Sequence, residues 1–283
     1  ILCTPNHTHV ALARELLDAD VHVLVEKPVA TNVESGQMLL RSSQGTNSQI
    51  LVGHHRRFNP YVVVVKEALK SNSLGEIIAV NGLWTLFKPA SYYEAPTEWR
   101  RGTEGGVVLI NLIHEVDLLQ YLIGPIVRVH AEKVIATRNH EAEEGAALTF
   151  RFKSGVVGTF LIADNVPSPY NFESGTGENP FIPKTGASFY TIFGTNASLG
   201  VPDMTRWSYR GVDKTWHEPL VKDNLNVPEG VPFEIQLAHF INVCRGKEVP
   251  SCSVADALSA LIVCDAVKKA ISSGETVEIE PVS

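Results

Sequence analysis

Val21-His22-Val23-Leu24-Val25-Glu26-Lys27-Pro28 is an apolar, β-branched run that stops abruptly at an acid, a base and a proline. It reads as a buried strand. Pro28 ends the strand because it offers no backbone N–H, and it holds Lys27 in extended geometry. A lysine fixed at the carboxyl end of a buried parallel strand stands where open α/β sheets bind their ligands. Taken alone, the same residues also fit a strand end with a solvated Lys and Glu.

The flanks decide the architecture. Ile1-Leu2-Cys3-Thr4 reads as the tail of a strand, and Pro5-Asn6-His7-Thr8 as a turn into a helix carrying Val10, Leu12, Ala13, Leu16 and Leu17 at helical spacing. Asp18-Ala19-Asp20 closes that helix, since aspartate accepts the left-handed geometry usually given to glycine. Beyond the central run, Thr31 is expected to cap a second helix with Glu34 completing a capping box. Gln49 to Gly53 is another buried strand. Strand, helix, strand, helix, strand makes two parallel crossover units of a doubly wound sheet.

The pattern changes at His54-His55-Arg56-Arg57-Phe58-Asn59-Pro60. Asn59 and Pro60 suit the cap and first turn of a helix to Lys70. Longer strands follow, at Ile77–Phe87, Ile126–Ala136, Ala146–Phe152, Val156–Ala163 and Phe189–Phe193. Val127, Val129 and Ala131 alternate with Arg128, His130 and Glu132, and Lys153-Ser154-Gly155 fits a hairpin turn. Helices are expected at Val107–Ile123, Pro232–Cys244 and Val254–Ser272, with a long loop over Asn165–Ala187. The fold class is thus α/β plus α+β. Residues 1–56 form the C-terminal part of a Rossmann-like parallel sheet. Residues 57–283 form a domain with a large, mainly antiparallel sheet packed on helices.

A length of 283 residues with 44% hydrophobic and 19% charged residues supports one large or two ordinary cores. The formal net charge of -7 argues against nucleic acid or an anionic membrane as the main partner. No apolar run reaches the length of a membrane span. Cys3, Cys244, Cys252 and Cys264 show no CxxC spacing, so free thiols in the reducing cytoplasm are expected. His54-His55 and the scattered acids form no metal-ligand pattern, and no G-x-S-x-G nucleophile signature is present.

The candidate chemistry lies on the helix from Gly105-Gly106 onward. Leu109, Ile113, Val116 and Leu119 make its apolar stripe, while Asn111, His114 and Asp117 recur every third residue as a polar seam. Such a seam fits either a core-edge histidine satisfied by Asn111 or Asp117, or a site.

These elements together resemble the glucose–fructose oxidoreductase/inositol dehydrogenase (Gfo/Idh/MocA) family. Thr4-Pro5-Asn6-His7-Thr8-His9 is similar to its TPN-x-x-H element, and Glu26-Lys27-Pro28 to its EKP signature. Gly53 to Pro60 is similar to its G-x-x-x-R-F-x-P join, and Gly105 to Gly124 to its glycine-then-histidine helix. Two departures stand out. No G-x-G-x-x-G loop or ribose-binding acid is present, so the chain reads as lacking the first crossover units, on the order of sixty residues. Ile110 stands where the family commonly has Asp, four residues before the histidine; Asn111, three before it, belongs to an Asn-Leu-Ile-His branch.

The resemblance implies an NAD- or NADP-dependent oxidoreductase acting on a secondary alcohol or ketone of a sugar, cyclitol or related polyol. It implies cofactor contacts at Thr4, Pro5, Asn6, His9, Glu26, Lys27 and Pro28, and the Arg56-Arg57 pair, Arg57 above all, is a candidate for a phosphate or else a solvated face. Lys27 is expected to orient the substrate hydroxyl and stabilise developing alkoxide. His114 is expected to accept the proton because its ordinary pKa lies near neutrality. Asn111 would hold a substrate hydroxyl or the histidine ring. Tyr92, Tyr93, Trp99 and Arg100 are candidate polyol contacts, the same residues also fitting ordinary packing of a loop onto the sheet, with Asn179 closing over the site from the long loop. Self-association through the C-terminal sheet is also implied. The alternative is a non-catalytic dinucleotide or sugar sensor on the same fold.

Overall fold

The structure, a computed structural model, describes residues 1–103, 105–211 and 214–282. Its centre is a short parallel pair, β1 (Val23–Val25) and β2 (Ile50–Val52), with Leu2 bridged in parallel to Val25. All six residues of the pair are buried, as β-branched and leucine side chains covered on both faces should be. β1 is shorter than the apolar run. His22 Nδ1 accepts the Gln49 N–H, so a side chain replaces the next ladder bond and leaves Val21 exposed.

Two helices flank this pair in sequence. α1 (His9–Asp18) ends at a left-handed Asp20, φ 57°, as the aspartates foreshadow. α2 (Val33–Ser43) is capped by Asn32 and not by Thr31: Asn32 Oδ1 accepts from Ser35 N at 2.9 Å. After the join, α3 (Pro60–Lys70) starts from Asn59, whose side chain accepts from Tyr61 N, with Pro60 in the first turn.

Nine strands form the second sheet. In chain order they are β3 (Ile77–Thr85), β4 (Ile126–Lys133), β5 (Gly145–Phe152), β6 (Val157–Ala163), β7 (Tyr190–Gly194), β8 (Ala197–Val201), β9 (Thr205–Ser208), β10 (Val221–Asn224) and β11 (Val277–Glu278). Their spatial order is β10-β9-β8-β7-β3-β6-β5-β4-β11; only the β3–β6 pair is parallel. Sequence reading missed β8 to β11. These strands run only two to five residues, too few for alternation to show. Lys153–Gly155 is the expected tight turn, with Gly155 at φ 95° donating to the Phe152 carbonyl.

The long helix begins as a π-helical turn, Val108–Leu112, and continues as α4 (Ile113–Ile123). Such wide turns recur at functional sites. Gly106, at φ 87°, permits the wide start: a Cβ there would stand 2.3 Å from the Glu143 carboxylate, which accepts the Val108 N–H. The Asn165–Ala187 stretch is not a bare loop. It contains α5 (Phe172–Thr176), capped by Asn171, with Phe172 buried against Phe189.

α6 (Pro232–Cys244) and α7 (Val254–Ser273) close the chain. α7 serves both cores: Ala260, Val263 and Val267 join the core under the large sheet, while Val254, Ala257 and Leu261 join that of the parallel pair. Full burial of each valine or leucine contributes about 1.5–3 kcal/mol. One helix therefore ties the strand carrying Lys27 to the helix carrying His114.

Candidate active site

Lys27 leaves β1 with its backbone N–H held by Glu26 Oε2 at 3.3 Å and its Nζ donating to the Ile110 carbonyl at 3.4 Å. Gly53 on the adjacent strand leaves room for Glu26: a Cβ there would meet its carboxylate at 3.0 Å. Among the described residues no carboxylate lies within ion-pair distance of the Lys27 ammonium. Burial, then the Arg56 charge, lowers its pKa to about 8 against the opposing pull of Glu26 and Glu173.

Ile110 precedes His114 by one helical turn. The ring is buried, its Nδ1 has no hydrogen-bond partner, and it meets His55 and His54 edge-on at 5.6 Å and 6.0 Å between centroids. Burial, then the Lys27 and Arg56 charges, pushes its pKa well below the ordinary value. His114 is therefore neutral at neutral pH, and Lys27 is the group whose pKa lies near it. Lys27 remains the stronger base of the two, and it is Lys27 that titrates near neutrality. The bland reading of a histidine satisfied by its own seam also falls. Asn111 Oδ1 accepts instead from Lys88 Nζ at 2.7 Å, and Asp117 accepts from Arg57 at 2.6 Å and 2.9 Å.

A cleft of about 230 Å³ opens at the end of β1, lined among others by Asn6, Lys27, Pro28, Tyr92, Trp99 and Arg100. The Arg100 guanidinium lies over the Tyr92 ring at 3.9 Å, which fixes both. Thr4 and Pro5 are exposed on the approaching turn, Thr4 Oγ1 accepting from Thr8. Asn6 is the residue of that turn that lines the cleft.

Glu26, Asn111 and His114 do not line this cleft, and four further expected contacts are engaged elsewhere. His9 is buried and uses both ring nitrogens, on the Pro28 and Thr4 carbonyls, so it clamps the turn to the strand end. Arg57 is buried on Asp117 and the Ser251 carbonyl, leaving no guanidinium edge for a phosphate. Tyr93 points into the fold, donating to Asp164 at 2.8 Å; its neighbour Tyr92 takes the cleft position. Asn179 accepts from Phe181 N within its own turn and does not line the cleft.

Sequence reading also missed the role of Arg56 and did not single out Lys88. Arg56 is buried among Glu115, Glu173 and Glu178 at 2.5 Å, 2.6 Å and 3.1 Å. Lys88 is buried between Asn111 and Asp164. A signal for Lys88 was present: Lys88-Pro89 just beyond β3 repeats the Lys-Pro pairing that drew attention to Lys27. Residues His54, Asp117 and Cys252, far apart in sequence, bring potential ligand atoms within 4.8 Å of one another. Arg57 holds both oxygens of that Asp117, so the cluster already contains a cation.

Comparison with known proteins agrees with this geometry. Residues 66–279 match the family model for the C-terminal alpha/beta domain of the GFO_IDH_MocA oxidoreductases, and residues 1–54 that for their NAD-binding Rossmann fold. The chain belongs to the Gfo/Idh/MocA oxidoreductase family. Among its relatives is the 1,5-anhydro-D-fructose reductase of Ensifer adhaerens, 25% identical over 285 residues, covering 98% of this chain and 78% of the relative. The myo-inositol 2-dehydrogenase of Thermotoga maritima is 21% identical, covering 100% and 80%. The WlbA dehydrogenase of Bordetella pertussis, solved with NADH and UDP-GlcNAcA, superposes at TM-score 0.74 with 25% identity, covering 99% and 78%. Levoglucosan dehydrogenase, solved with NADH and levoglucosan, has TM-score 0.77 at 19% identity, covering 98% and 79%, and shares the fold.

As a member of this Gfo/Idh/MocA family the chain is an NAD-binding oxidoreductase. Its residues fit a nicotinamide. The cleft lies at the carboxyl end of β1 and offers flat aromatic walls from Tyr92 and Trp99 that suit a planar ring, with the Lys27 and Arg100 cations left for substrate oxygens.

Proposed function

We propose that the chain oxidises a secondary alcohol of a sugar, cyclitol or related polyol, or reduces the matching ketone, with NAD or NADP. The observation that carries this reading is Lys27: a half-buried ammonium without a carboxylate partner among the described residues, facing the helical turn that leads to a neutral His114. The relatives named for anhydrofructose and inositol chemistry support the same substrate class. A bound nicotinamide supplies the acceptor for the hydride leaving the substrate carbon. Lys27, with its pKa near working pH, takes the hydroxyl proton as the neutral amine and returns it as the ammonium in the other direction. Its N–H groups stabilise charge on the substrate oxygen. His114, kept neutral, orients that oxygen by hydrogen bonding, and Asn111 is the adjacent polar contact. Asn6, Pro28, Trp99 and Arg100 bound the space for cofactor and substrate.

The test is reduction of NAD and of NADP against a panel of polyols and sugars. Lys27→Ala is expected to lower kcat by roughly 10³-fold or more, and His114→Ala by about 10²-fold, with the fold intact by circular dichroism. A near-normal kcat in both variants refutes the assignment. Cofactor binding without turnover of any substrate favours a sensor instead.

We also propose self-association through the open face of the nine-stranded sheet. Val157, Leu161, Phe193 and Trp207 are exposed there, on strands whose register puts them on one side. Light scattering at micromolar concentration should give a multiple of the chain mass; a monomer mass counts against it.

A further inference from the structure

We infer that Lys88 is a positioning residue of the site, one that turns the Asn111 amide so its N–H₂ faces the reacting substrate oxygen. The inference rests on the functional reading above and adds a group that reading does not use. Lys88 follows β3 and is buried, 5% exposed. Its Nζ donates to Asn111 Oδ1 at 2.7 Å and lies 3.2 Å from Asp164 Oδ2. Asp164 is in turn held by Tyr93 Oη at 2.8 Å and Arg138 Nη1 at 2.7 Å, so the anchor is itself anchored. The Tyr92 ring, which lines the cleft, sits under the Lys88 ammonium at 4.8 Å.

Donor chemistry fixes what this contact does. An ammonium has donors only, so an amide facing it must present its oxygen. Asn111 Nδ2 is thereby turned the other way, and among the described residues it makes no hydrogen bond. Asn111 is half-buried, between Ile110 at the cleft wall and His114, and within the π-helical turn. Ile110, the residue before Asn111, accepts from Lys27 Nζ, so the freed amide would add a second donor on the turn that meets Lys27. Two donors converging on one oxygen favour the partial negative charge that oxygen carries during hydride transfer. Lys88 touches the reaction through the amide it orients; its charge also contributes to lowering the Lys27 pKa, an effect that Lys88→Arg keeps. Asn cannot exchange a proton at neutral pH, so orientation is the property of Asn111 that matters, and Lys88 supplies it.

The experiment is a double-mutant cycle on kcat/KM, using a substrate that the wild-type protein turns over. Asn111→Ala and Lys88→Met should each lower kcat by tenfold to a hundredfold with KM changed much less. Lys88→Met added to Asn111→Ala should cost less than about threefold more, because the amide it orients is gone. Lys88→Arg should restore most of the kcat, since a guanidinium is also donor-only. Additive losses, or a Lys88→Met variant with normal kcat, overturn the inference. A second measurement is independent of turnover. The Asn111 side-chain ¹⁵N–H₂ resonances, identified by their loss in Asn111→Ala, should move in Lys88→Met and return toward wild type in Lys88→Arg. Unmoved resonances overturn the inference even where no substrate has been found. If instead they move as expected while every polyol is refused, the dehydrogenase reading fails and the positioning contact stands.

Discussion

Arg56 is a buried cation and Lys27 a half-buried one, and the molecule treats them in opposite ways. Arg56 lies among three carboxylates, with its guanidinium 4.3 Å above the Phe172 ring, and those charges push its pKa up despite full burial. Lys27 has a carbonyl oxygen for a partner and no carboxylate in reach among the described residues, so burial wins and its pKa falls to about 8. The Arg56 cluster joins the interdomain segment to α4 and α5 through one contact from each nitrogen of the planar guanidinium fork. The lysine is left as a charge that the fold tolerates. A cation satisfied on every side serves structure; one left unpaired at a cleft is available to a substrate.

The largest expected effect breaks the structural half of this contrast. Arg56→Met leaves Glu115, Glu173 and Glu178 buried together without their common counter-ion. Removing one member of such a buried set costs about 3–5 kcal/mol. Urea denaturation at neutral pH should show a midpoint shift of that size, or outright failure to fold. Stability within 1 kcal/mol of wild type would mean that the carboxylates take up protons at little cost, which the Glu115 pKa of about 7 makes the specific alternative.

A smaller effect of opposite sign is expected at Lys27. Met fills similar volume without the charge, so Lys27→Met should stabilise the protein while destroying its activity. The shift from the ordinary 10.5 to about 8 corresponds to roughly 3 kcal/mol at most. The folded-state value is the lower one, so the penalty is complete below pH 8 and disappears as pH rises toward 10.5. The variant's advantage over wild type in urea should follow that window. An advantage independent of pH between 7 and 10.5 would assign the gain to packing.

The contrast also explains what was legible in the residue order. Val21 to Pro28 shows both its strand and its end because hydrophobic periodicity and proline act locally. Asn59-Pro60 and Asp20 likewise show a cap and a left-handed residue. The roles of Arg56 and Arg57 were not legible, since their partners stand at Glu115, Asp117, Glu173 and Glu178, brought together only by the fold. The same holds for His114, whose spacing to Asn111 and Asp117 suggested partners that the structure gives to Lys88 and Arg57. Tyr92 and Tyr93 differ by one position in a 3₁₀ turn, and no composition rule says which faces the cleft.

The last consequence is kinetic and concerns the unpaired lysine directly. Alcohol oxidation needs Lys27 as the neutral amine, and its pKa of about 8 leaves it mostly protonated at pH 7. Initial rates of NAD or NADP reduction should therefore climb about tenfold from pH 7 to pH 9 and level off above, as the amine fraction saturates. Ketone reduction needs the ammonium and should show the mirror profile, falling over the same interval. His114 cannot produce either curve, because its pKa lies well below this range. Lys27→Arg keeps a donor but cannot lose its proton near pH 8, so the residual oxidation rate should be low and flat between pH 7 and 9. A variant that keeps the wild-type inflection would move the proton transfer away from Lys27, and the difference between the two cations would then be one of packing alone.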